Sequence, residues 1–144
     1  MNLSSQVSSL ALSKRLKELG VKQGSLFVWF RGHPDERHPL TLGLWSGGVS
    51  AFEEYAAFTV AELGEMLPGT IDPEPPGTCY WLNSWAITDK GKTALWGVAY
   101  EEDRQEFCVA EEKTEADARA KMLIHLLENK IISVDSVNKG REGK

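Results

Sequence analysis

The sequence predicts an α+β domain, an antiparallel sheet of about five strands with helices packed on one face, in the order α-β-β-α-β-β-β-α. Three observations predict it. Residues 114–132, TEADARAKMLIHLLENKII, combine a capping signal, paired charges and an apolar stripe at helical spacing. Strand-like runs at 79–88, 93–101 and 106–109 are joined by short polar links that suit hairpins and exclude parallel crossovers. Residues 25–31 and 40–45 alternate with period two around the loop GHPDERHP, a further hairpin.

Along the chain, residues 1–8 are polar and Ser-rich, and are expected to be a flexible tail. A helix follows from about Ser9, with Leu12, Leu16 and Leu19 as its stripe and Gly20 as the left-handed residue that ends it. In the first strand Leu26, Val28 and Phe30 share one face, and Phe27, Trp29 and Arg31 the other. The second sets Leu40, Leu42 and Leu44 against Thr41 and Trp45. Ser46-Gly47-Gly48 marks a break, and residues 49–55 fit neither period. Thr59 and Glu62 form a capping box for a short helix, with Phe58 and Leu63 as its hydrophobic staple, and Pro68-Gly69 stops it.

TIDPEPPG can be neither helix nor central strand. In the last helix Thr114 is the N-cap and Asp117 stands where the capping box wants its acidic partner. Ala116, Ala120, Leu123, Leu127 and Ile131, widened by Ile124 and Leu126, make the face that should meet the sheet. The tail 133–144 has too few apolar residues to pack, so the expected domain is 9–132.

The chain has 144 residues and a net charge of −5, which suits one soluble domain and argues against a phosphate backbone as partner. No apolar run approaches the ~20 residues that span a bilayer, and MNLSSQVSS lacks the order of a signal peptide, so the expected location is cytosolic with no membrane partner. Cys79 and Cys108 have no companion at metal spacing and read as reduced, packed thiols. His125 falls on the polar side of the last helix.

Two groups of residues are candidate sites. His33, Asp35, Glu36 and His38 bring two imidazoles and two carboxylates into one loop, which would suit a metal-dependent enzyme or a binder of a small metabolite or nucleotide. Their spacing nevertheless matches no established ligand pattern, and a solvated hairpin loop is the favoured reading. No cofactor is implied, and no nucleophile elbow or phosphate loop is present. The other group is aromatic: Phe27, Trp29, Trp45 and Trp96 lie in predicted strands. Trp29 and Trp45 fall opposite the aliphatic sets of their strands, so with helices on the aliphatic face the aromatic face needs another cover. A loop, a ligand, an unknown protein or a second copy of the chain would serve. A non-enzymatic protein that binds another protein or itself is the leading expectation.

Residues 16–23 with 25–27, residues 57–68 and residues 114–132, LKELGVKQ, SLF, AFTVAELGEMLP and the long helix, resemble a family of small uncharacterised proteins of phage and prophage regions in Bacteroides-type bacteria. The resemblance runs in order through most of the chain, except HPDERHP and PEPPG. It implies a mobile-element context and a cytosolic location, and carries over no functional residue.

Overall fold

The computed structural model describes residues 2–45, 51–72, 79–103 and 105–141. Its elements are α1 (Leu10–Glu18), β1 (Phe27–Arg31), β2 (Thr41–Leu44), β3 (Glu53–Ala57), α2 (Val60–Met66), β4 (Thr70–Ile71), β5 (Tyr80–Asp89), β6 (Lys92–Glu102), β7 (Gln105–Glu112), α3 (Glu115–Glu128) and α4 (Val134–Arg141). The fold is α+β, with helices packed on antiparallel strands. Those strands divide into two sheets, ordered β2-β1-β3 and β4-β5-β6-β7. The predicted break at 46–48 and most of the proline-rich connection, 73–78, lie outside the described residues.

β3 makes the first sheet a three-stranded one. Its sequence, EEYAA, hides the strand because neither face is uniformly apolar, and it lies at a sheet edge. That edge is closed by side chains and by the chain itself. Lys17 Nζ donates to the Glu54 carbonyl at 2.9 Å, the Ala56 amide donates to Gln23 Oε1 at 2.8 Å, and Val7 bridges Thr59. Outward-pointing backbone groups of β3 thus have partners, as an edge strand requires if it is not to recruit another chain.

α3 is the centre of the molecule. It lies across β6 and β7 on one side and meets α1 and α2 on others. Being enclosed in this way, it buries Ala118 and Met122 as well as the predicted Ala116, Ala120, Leu123, Ile124, Leu126 and Leu127. The helix stops at Glu128, short of the predicted 132. Lys130 turns left-handed, and the amides of Lys130 and Ile131 return to the carbonyls of Leu127 and Leu126, a Schellman closure. Gly20 closes α1 in the same manner, as its sequence position predicts.

Both predicted tails are anchored to the core, though much of their described length is exposed. Val7 and Ser8 are fully buried, because Ser8 exchanges hydrogen bonds with Phe58: its amide donates to the Phe58 carbonyl and its Oγ accepts from the Phe58 amide. Residues 134–141 form α4, which buries Val137 in the core and is tied to the end of α1 by Asn138, whose amide donates to the Gly20 carbonyl at 2.9 Å. Two valines, Val134 and Val137, in an otherwise polar helix were too weak a signal to read as packing.

Asp117 corrects a second local expectation. Thr114 Oγ1 accepts from the Asp117 amide at 3.1 Å, but the Asp117 carboxylate does not complete the box. It accepts instead from the amide of Ser9, the N-cap of α1, at 2.7 Å. One carboxylate therefore caps a different helix, and joins the starts of α1 and α3. In α2 the box is complete, with Glu62 reaching back to the Thr59 amide at 2.8 Å.

Candidate functional site

The register of the first sheet decides what its aromatic residues do. Trp29 pairs with Leu42 and Tyr55, and Leu26 receives the Trp45 amide at 2.9 Å. Trp29 and Trp45 therefore lie on opposite faces, and the single aromatic face expected of them does not form. α1 and the N-terminal segment cover the Trp29 side. Trp29 Nε1 donates to the Ser8 carbonyl at 2.9 Å, and Lys14 and Lys17 of α1 stand 5.4 and 5.0 Å from the Tyr55 ring. Trp29, expected to point away from the helices, thus points toward them. Alternation fixed which side chains share a face; it could not say which face meets a helix.

Phe27 is half-buried on the Trp29 side, and Trp96 is half-buried on the inner face of the second sheet, against the core. Of the four aromatic candidates only Trp45, 57% exposed, is open. It borders a cleft of about 540 Å³ with Leu26, Val28 and Ala56 as apolar lining and Lys22, Glu62 and Arg141 among its charges. Two of these charges are committed to the fold: Glu62 accepts from Ser25 Oγ at 2.8 Å, and Arg141 donates to the Gly24 carbonyl.

The histidine loop is built as a hairpin end. The His33 and His38 rings meet at a tilt of 40° with centroids 4.2 Å apart, and His33 Nδ1 accepts from the Asp35 amide at 3.0 Å. Asp35 is engaged by Arg37 at 2.7 Å, and that guanidinium, with the Arg37 amide, holds its carboxyl below the usual range. Glu36 is exposed. Among the described residues no three His, Cys, Asp or Glu side chains are grouped as a metal would need. Cys79 and Cys108 are free thiols, and burial pushes the Cys108 pKa up, away from the thiolate a nucleophile needs.

The uncovered aromatic surface is on the second sheet. Tyr80, Leu82, Trp96, Val98, Tyr100, Cys108 and Ala110 face α3 and belong to the core or pack against it. The alternate residues face outward, in rows set by the register. Trp81, Glu101 and Glu106 make one row, Asn83, Ala99 and Val109 the next, and Trp85, Gly97 and Glu111 the third. Trp81 is 62% exposed and Val109 41%. Gly97 is what lets Trp85 lie down, since a Cβ there would collide with the indole. A ring laid over a glycine of the next strand shields the backbone and leaves a flat aromatic tile.

No protein-family model, curated protein or solved structure matches the chain. The site is thus described by its own chemistry.

Trp81 and Trp85 fall within the strand-like run 79–88, but nothing in that run alone marks which of its faces is open. A usable signal was nevertheless present in β7. Val109 and Glu111 alternate with Cys108 and Ala110, so the charged residue marks the outer face, and antiparallel pairing carries that face across β6 to Trp81 and Trp85.

Proposed function

We propose that the protein is a non-catalytic binding module for another protein, and that its contact surface is the outer face of β5–β7. The observation that carries this is Trp81, 62% exposed on a sheet face that also presents Trp85, Ile87, Leu95 and Val109. Tryptophan is enriched at the centres of protein interfaces, where burying a large, stiff side chain yields much of the affinity. An exposed apolar face of this kind is uncommon on a protein without a partner. A role as a mobile-element accessory protein belongs to the same proposal and rests on the resemblance of three segments alone.

The test is affinity capture from host lysate with wild type and with the double variant Trp81→Ala, Trp85→Ala, each checked by thermal melt. A protein held by wild type and lost from a double variant of unchanged melting temperature supports the proposal. Sedimentation at rising concentration identifies a second copy of the chain as that partner. Capture that ignores the double substitution, or no capture and no self-association, overturns it.

A further inference from the structure

The row Trp81, Glu101, Glu106 has an arrangement that costs the free protein stability. Glu101 and Glu106 are paired across β6 and β7 on the same face, beside a bulge in the ladder, and like charges paired across strands are destabilising. Neither forms an ion pair among the described residues. Among the described residues Glu101 is held by Asn83 of β5, whose Nδ2 donates to its Oε1 at 2.7 Å. Trp81, the direct partner of Glu101, stands on that same β5 side, and Glu106 stands on the β7 side. Glu111, exposed two rows away, adds a third carboxylate. Lysines lie only toward the opposite end of the sheet, with Lys90 and Lys92 at the hairpin tip and Lys113 past the end of β7.

We propose that this row is the seat of an arginine side chain, and that the partner is a basic polypeptide segment carrying that arginine next to apolar residues. The inference rests on the outer face being the contact surface. A guanidinium matches the row in two ways: its plane stacks on an indole, and its fork donates to carboxylates. It also removes the repulsion between Glu101 and Glu106, so that part of the binding energy is the relief of a cost already present in the free protein. Apolar neighbours of the arginine would then meet Val109 and the Trp85 tile. Charge and shape decide against the other occupants. A nucleic-acid backbone would meet three carboxylates, and a second copy presents on this face, among the described residues, lysines and no arginine, which lack the planar fork that engages two carboxylates beside an indole.

The probes are short peptides of alternating valine and arginine, valine and glutamine, and valine and glutamate, titrated into the full chain while the tryptophan indole N–H signals are followed by NMR. The arginine peptide should shift Trp81 and Trp85 and bind at least about tenfold more tightly than the glutamine peptide, the scale of one charge-assisted hydrogen-bonding group. The triple variant Glu101→Gln, Glu106→Gln, Glu111→Gln should lose that tenfold. A control with Glu18→Gln, Glu36→Gln and Asp135→Asn, which changes net charge equally elsewhere, should keep it. Equal binding of all three peptides at Trp81 and Trp85 would overturn the arginine seat and leave the outer face standing as a protein-binding surface. Equal losses in the triple variant and the control would reduce the effect to net charge, and overturn the seat. Absence of any shift at the two tryptophans overturns the seat as well, while the capture experiment with the double tryptophan variant decides the binding surface independently.

Discussion

The two sheets of this protein use tryptophan in opposite ways. In the first, Trp29 faces α1 and the N-terminal segment, gives its indole N–H to the Ser8 carbonyl, and lies beside a strand edge closed by Lys17 and Gln23. In the second, Trp81 and Trp85 face away from every helix that packs on the sheet. The same residue type is thus a structural tie in one sheet and an unpartnered surface in the other. What separates them is topology: α3 packs on the face of β6 and β7 that carries Trp96, Val98 and Tyr100, and leaves Trp81 exposed on the opposite one.

The largest expected effect comes from breaking the element both sheets depend on. Leu123 is fully buried in α3, so Leu123→Ala should cost about 2–5 kcal/mol, the range for truncating a core leucine. Denaturant melts followed by near-UV and far-UV signals should lose both sheets in one transition.

Next comes the contrast between the tryptophans. Trp29→Ala should cost about 2–4 kcal/mol, because the half-buried ring and its hydrogen bond are lost together. That loss should not vary with protein concentration. Trp81→Ala should fall within about 0.5 kcal/mol of wild type, as surface changes do.

Much of this fold was legible in the sequence. Gly20, Thr59 with Glu62, and the β5–β7 meander carry their own local instructions, in the form of a left-handed closure, a capping box and short polar turns. Trp29 was legible as to its strand and its companions Phe27 and Arg31, yet the side it presents to the helices was not. Two faces of similar hydrophobicity leave that choice to α1, whose docking depends on contacts fifty residues distant, such as Ser8 with Phe58. Asp117 was unreadable for the same reason, since its partner Ser9 lies at the other end of the chain. The candidate surface was half legible: the strand tryptophans were visible, but choosing Trp81 over Trp29 needed the register.

Asp117 gives the smaller, pH-dependent test. Burial raises its pKa above the ordinary aspartate value, against the lowering effect of the Ser9 amide. The folded state therefore holds this proton more tightly than the unfolded chain, so the contribution of Asp117 to stability falls as pH rises from the ordinary aspartate range through its raised native value. Asp117→Asn keeps an acceptor for Ser9 and removes the titration. Relative to it, wild type should lose stability on going up through that window, as read from melts across mildly acidic pH. Asp117→Ala leaves the Ser9 amide without its acceptor and should cost about 1–2 kcal/mol.

The contrast between the sheets is tested most directly by hydroxyl-radical footprinting of the native protein, with oxidation of each tryptophan resolved by peptide mass spectrometry. Trp81 should be oxidised several-fold faster than Trp29, whose indole is covered by the Ser8 segment. Equal rates at Trp81 and Trp29, or protection of Trp81 in a protein shown to be monomeric, would contradict the assignment of the open aromatic face to the second sheet.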